Sequence, residues 1–217
     1  MRKTRGFTLV EIAIVLVIIG LLLGGILKGQ EMITQAKIKN VIADFSGISA
    51  AYHGYQDRYR AIPGDDPNAN SRWSGATQGT GNGQVAGKYN STTATDESRL
   101  WWDHLRRAGF VSGTGTNQPF NAVTGMIGVQ TGDAATPTIG PSLKDGSGDG
   151  FVGLIICSAN LPDKISIAAD TQMDDGVPNS GTVRGQLQTA PNPDVAATAT
   201  ATYAETGTNV YMICRSL

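Results

Sequence analysis

Few side chains in this sequence stand at spacings that support chemistry, and the first is a carboxylate in an unfavourable place. Glu11 lies near the start of a run, Phe7 to Leu27, that is otherwise apolar or glycine apart from Thr8. Burying a carboxylate in such a segment costs roughly 2.5–3.5 kcal/mol even on lenient insertion scales, so a charge there implies a partner. The two cysteines, Cys157 and Cys214, are the next candidates. Both follow the apolar segment, and in an exported chain they meet an oxidising compartment, where one disulfide is the natural reading. Two free buried thiols are the alternative.

The aspartates fall into three groups. Asp65 and Asp66, with Asn68 and Asn82, sit in a turn-rich stretch and match no regular calcium loop, so they read as solvated turn. Asp145 and Asp149, in Asp145-Gly-Ser-Gly-Asp149-Gly150, have the first half of an EF-hand ligand order but lack its distal glutamate. Asp170, Asp174 and Asp175 follow in the last third of the chain. These last two groups are weak calcium candidates, with capping and turn roles favoured. His53 and His104 have no cysteine, histidine or acidic set at metal spacing and read as structural or exposed. No nucleophile–base pairing and no phosphate-cradling loop emerges. The chain therefore reads as a non-enzyme that needs no cofactor.

The elements that must position these residues begin with a charge asymmetry. The net charge of −1 hides Arg2, Lys3 and Arg5 ahead of the apolar run; beyond Gly6 there are 14 basic and 18 acidic residues, a net of −4. That balance gives no electrostatic reason to expect nucleic acid as a partner. Basic residues before an apolar segment hold that end in the cytoplasm, so the remainder crosses the membrane. A plain signal peptide is a poor fit, because no A-x-A-like site follows the run. A simple anchor has the length, about 31 Å of helix over residues 7–27, but leaves Glu11 unexplained.

Gly6-Phe7-Thr8-Leu9-Val10-Glu11, continuing through Ile12-Ala13-Ile14-Val15-Leu16-Val17-Ile18-Ile19-Gly20, resembles the processing site of type IV pilins and type II secretion pseudopilins. The resemblance implies a leader, residues 1–6, removed by the prepilin peptidase between Gly6 and Phe7, with N-methylation of Phe7. It implies that Glu11, fifth in the mature chain, pairs with the N-terminal amine of a neighbouring subunit during assembly. The partners implied are further copies of the chain, the peptidase, an inner-membrane assembly platform and the membrane itself before assembly. The precursor is then an inner-membrane protein, and the filament a pilus on the cell surface or a periplasmic pseudopilus. The sequence departs from many family members in having no proline before Pro63; Gly20, Gly24, Gly25 and Gly29 stand in this region instead. Each interior glycine costs about 0.8–1 kcal/mol relative to alanine, which suits close helix packing or a stretch that loses helix in a filament.

Apolar residues continue at Ile38, Val41, Phe45, Ile48, Tyr52, Tyr55 and Tyr59, in steps of three and four. The spacing predicts one helix over residues 7–60, about 80 Å long, apolar all round in its first half and striped in its second; a coiled-coil dimer is the alternative. Pro63 ends it. A short helix is expected over 96–108, capped by Thr95 or Asp96 and closed at Gly109, with Trp101, Leu105 and Ala108 on one face. Strands are expected over 126–130, 151–157, 182–187 and 209–215, with a short helix over 161–173 and an exposed loop over 188–206. Pro63-Gly64-Asp65 and the stretch from Cys157 to Arg184 resemble, less specifically, pilin-like proteins with a C-terminal disulfide. The expected fold class is α+β, a pilin fold: a long N-terminal helix packed on an antiparallel sheet, with a loop-rich, disulfide-bounded C-terminal region. The expected organisation is the leader over 1–6, a membrane and filament-core half-helix over 7–30, and a globular domain over 31–217. Among other classes, a membrane-tethered periplasmic binding domain fits the same anchor.

Overall fold

The computed structural model describes residues 8–132 and 142–217. Its elements are α1 (Leu9–Tyr59), α2 (Ala69–Arg72), α3 (Glu97–Arg107), β1 (Ile127–Thr131), β2 (Leu154–Pro162), α4 (Asp163–Met173), β3 (Val183–Leu187) and β4 (Val210–Ser216). The expected Gly6–Phe7 cut lies outside the described residues. The chain divides into two compact units, Met1–Lys37 and Ile38–Leu217.

In the first unit α1 is apolar on every side from Ile12 to Leu27. Its large apolar side chains from Leu9 to Leu27 are 46–86 % exposed, so no described residue covers them. Among the described residues, α1 is the helix long and apolar enough to cross a membrane. The helix is unbroken through Gly20, Gly24, Gly25 and Gly29, and each of these glycines faces open space.

The second unit is built on a four-stranded antiparallel sheet in the order β1-β2-β4-β3. Successive side chains of a strand point to opposite faces, and here both faces are covered. One face carries Ile127, Val129, Ile156, Val183 and Ile213, which join the α1 stripe of Ile38, Val41, Phe45, Ile48, Ala51 and Tyr55 in one core. Trp101, Trp102 and Leu105 of α3 complete this core, and Tyr52 stacks on Trp101 with ring centroids 5.3 Å apart. The expected stripe is thus present, with Ala51 fully inside and Tyr52 only half-buried. The other face carries Ile155, Cys157, Ala159, Met212 and Cys214 under Tyr89, Leu143, Phe151 and Ala199.

Cys157 and Cys214 form a disulfide between directly paired residues of β2 and β4, fifty-seven residues apart. The bond therefore sits inside the sheet on its second face. Strand β2 differs from expectation: it starts at Leu154, because Phe151 pairs only with the isolated Ser142, and it runs on to Pro162. A bulge between Ser158 and Leu161, with Asn160 at φ 57°, lets the strand resume pairing with β4. Pro162 is tolerated because β1 has ended by Ser158, leaving no ladder partner for the amide it lacks. Helix α3 ends as expected, with Gly109 at φ 82°, whereas Asp96 occupies the N-cap position without a side-chain bond to the helix; its carboxylate accepts from Ser91 Oγ. The 188–206 segment is no free loop: Ala199 is buried, Thr198 bridges Lys144, and Tyr203 Oη donates to Asp170.

Replacing Cys157 and Cys214 together by alanine is expected to lower stability by about 4 kcal/mol, the chain-entropy value for a loop of this length. Urea unfolding of the detergent-solubilised protein measures it. A loss below about 1 kcal/mol would mean that the sheet alone fixes this pairing.

Candidate functional site

Glu11 occupies the third position of α1, three residues after Thr8, which precedes the helix. The two residues form a reciprocal capping box. Glu11 Oε2 accepts from Thr8 N at 2.7 Å and from Thr8 Oγ1 at 2.8 Å, while Glu11 N donates to Thr8 Oγ1 at 3.2 Å. A helix start exposes amides with no intrahelical acceptor, and a nearby carboxylate satisfies them. In the free chain, then, the anomalous charge is held by its own helix terminus. The Thr8-x-x-Glu11 spacing is visible in the sequence as a capping box; the apolar surroundings drew the reading toward an external partner alone.

The acidic groups of the second unit are loop organisers. Asp170 is fully buried at the end of α4; Oδ2 accepts from Tyr203 Oη at 2.7 Å and Oδ1 from Gly176 N at 3.2 Å. Asp174 Oδ2 accepts from Thr182 N and Val183 N, and Asp175 from Val177 N and Ser180 Oγ. One carboxylate oxygen from each of the three lies within 4.8 Å of the others, a spacing a hard cation such as calcium can use. Asp145 Oδ1 accepts from Ser147 N and Asp149 N, both at 2.9 Å. This turn already has a positive charge: Arg184 donates to Asp145 Oδ2, to the carbonyls of Leu143 and Asp149, and stands over the Phe151 ring at 4.4 Å. A cation at Asp145 and Asp149 competes with that guanidinium for the same oxygens.

Asp65 and Asp66 overturn the expectation of a solvated turn, since they are 3 % and 0 % exposed. Asp65 accepts from the amides of Gly81, Asn82 and Gly83. Asp66 accepts from Tyr55 Oη at 2.6 Å and from Asn68 N, and pairs with Arg72. Buried carboxylates survive only with such donors; the glycine-rich loop supplies those of Asp65 from its backbone, and Tyr55 and Arg72 supply most of those of Asp66. Glu97 performs the same service for Thr80 and Ala86. Composition alone marks these residues as polar and hides their burial.

Burial pushes the Asp170 carboxyl up to about 6, against the opposing bonds from Tyr203 and Gly176 and with the help of Asp175 and Asp174. The folded chain thus holds this proton at a pH where the unfolded chain has released it. Its contribution to stability is present at low pH and is lost as pH rises through about 6. Asp170→Asn removes that loss, so its stability relative to wild type should be about 1–2 kcal/mol higher at pH 7.5 than at pH 5. Melting curves of both proteins at the two pH values test this; an equal difference at both would assign the effect to packing.

Comparison with known proteins bears on the first of these places. Residues 1–27 match the family model described as the prokaryotic N-terminal methylation motif. No curated protein matches the chain. The matched segment spans the capping box and the exposed apolar helix, and it marks a membrane-anchored precursor. The chain thus carries a prokaryotic N-terminal methylation motif at the start of α1, followed by an α+β unit closed by the Cys157–Cys214 disulfide.

Proposed function

We propose that the chain is the structural subunit of a type IV pilus-like helical filament. It is made as an inner-membrane precursor, cut between Gly6 and Phe7 by the prepilin peptidase, N-methylated on Phe7, and assembled through α1 with the help of the assembly platform. The leader is residues 1–6, residues 7–30 form the half-helix that leaves the bilayer for the filament core, and residues 31–217 form the shell domain. The observation that supports this reading is Glu11, within the matched motif, on a helix whose apolar surface from Leu9 to Leu27 no described residue covers.

A bilayer and a filament core both satisfy such a surface, because each replaces water by hydrocarbon. Transfer between them is then close to neutral for the apolar side chains, and the charged residue sets the register. The cut places an ammonium at Phe7 of each subunit. Held in a low-dielectric bundle, that ammonium and a neighbour's Glu11 attract strongly as a pair and cost heavily when single. The Thr8–Glu11 box keeps the carboxylate satisfied until the neighbour arrives. No catalytic step and no cofactor enters this reading, and it needs no nucleic acid.

A pseudopilin or minor pilin of a type II secretion system uses the same N-terminal chemistry; the three clustered carboxylates of Asp170, Asp174 and Asp175 favour the periplasmic pseudopilin if calcium binds there. A membrane-tethered binding domain keeps the anchor but never polymerises. Mass spectrometry of the exported protein and assay of sheared filaments separate these readings. The expected N-terminus is N-methylated Phe7, with abundant protein in the sheared fraction; an N-terminus at Met1 sinks the filament reading. Glu11→Ala should be processed and stay in the membrane while filament yield falls at least about tenfold, the loss of one register-setting charge pair. Normal yield from this variant would remove the pairing.

A further inference from the structure

His104 lies on α3 with no exposed surface, its ring parallel to that of Tyr55 at 6.4 Å between centroids. Both ring nitrogens are bound to the backbone of the loop that follows α1. Nδ1 accepts from Gly64 N at 2.9 Å, and Nε2 lies 2.8 Å from Thr77 O. A carbonyl oxygen only accepts, so Nε2 carries the proton. An amide nitrogen only donates, so Nδ1 is bare. One tautomer of one charge state satisfies both contacts.

We propose that His104 is an acid-sensitive latch: the neutral imidazole ties the 63–80 loop to α3, and a proton on Nδ1 releases it. Protonation would set two donors against each other at Gly64 and place a charge in the core. The loop has little room to adjust. Gly64 is held at φ 83°, with the position of a side chain only 2.3 Å from Glu97 O, so it packs directly on the α3 backbone. Burial lowers the affinity of His104 for a proton; Asp66 on the loop and Asp103 on α3 oppose this, and Arg107 on α3 reinforces it. Arg72 pairs with Asp66, Arg107 pairs with Asp103, and α1 contributes the Tyr55 hydroxyl, itself bonded to Asp66. The latch thus closes above the ordinary histidine range and weakens as pH falls below it. The loop carries Trp73, which packs edge-on against Tyr59 at 5.3 Å, so release opens an aromatic cluster on α1.

The latch belongs to the folded domain and does not rest on the filament reading. A global melt is a poor assay, because Asp170 shifts stability in the opposite direction over the same pH range. Hydrogen exchange of the full-length protein in detergent, corrected for intrinsic rates at pH 7.5 and pH 5, isolates the loop. Protection across residues 63–80 should fall about tenfold at the lower pH while β2 and β4 hold theirs. In His104→Gln, whose amide can accept from Gly64 and donate to Thr77 without titrating, protection should change by less than about twofold. An equal fall in the variant would assign the opening to the loop carboxylates and overturn the latch, as would no fall in wild type. Nitrogen chemical shifts of the two histidines in the wild-type protein keep the test decisive if the variant does not fold. The neutral Nε2–H tautomer at pH 7.5, converting to imidazolium together with loop opening, supports the latch, and opening with His104 still neutral refutes it.

Discussion

The rest of this protein depends on one helix that must satisfy two solvents. Over its first three turns and beyond, α1 is apolar on every face and exposed; from Ile38 it presents a single stripe to a sheet. A uniform apolar surface has no preferred side, so it demands an environment that surrounds it. A stripe demands a partner on one side and tolerates water on the other. The sequence makes that change within one unbroken helix, and each unit is built around the half it contains. Glu11 is then the sole side chain of the apolar half, among the described residues up to Leu27, that can distinguish one axial position from another by charge.

The second unit answers a different constraint. Its regular elements are short and its connections long, and long loops leave backbone amides to be satisfied. Aspartates perform much of this service. Asp65 gathers three amides of the 81–83 turn, Asp163 accepts from Thr206 and Gly207, and Asp174 accepts from Thr182 and Val183. Each carboxylate acts as the centre of a loop in the way a hydrophobic side chain acts as the centre of a core. The disulfide does related work from the other side, holding β2 to β4 where the second face has loops for cover.

The parts of the fold legible in the sequence are those governed by periodicity. The three-and-four spacing from Ile38 to Tyr59 located the striped half of α1, and Gly109 located the end of α3. Strand β1 and the paired ends of β3 and β4 lay within a residue or two of their expected places. The late end of β2 came from a bulge at Asn160, a tertiary accommodation with no local signature beyond one left-handed residue. The burial of Asp65 and Glu97 was hidden for a simple reason: most of their donors are backbone amides, which every residue but proline possesses. Nor does the sequence around His104 announce a ligand set, because its partners are also backbone atoms, forty and twenty-seven residues away.

The capping box changes what assembly has to overcome in the proposed filament. Had Glu11 been bare in the membrane, any cation would relieve it and pairing would carry little specificity. Held by Thr8, it is already partly satisfied, by an interaction whose removal from a helix typically costs about 1 kcal/mol. An ammonium about 4 Å away gains about 4 kcal/mol of Coulomb attraction at an effective dielectric of about 20, before desolvation is subtracted. The exchange therefore favours the neighbour only where the amine is well placed and water is excluded. A badly registered subunit leaves Glu11 with Thr8 at little cost, so the intramolecular box makes wrong contacts uncompetitive. Its contribution to a filament is to discriminate between registers, which a uniform apolar surface cannot do.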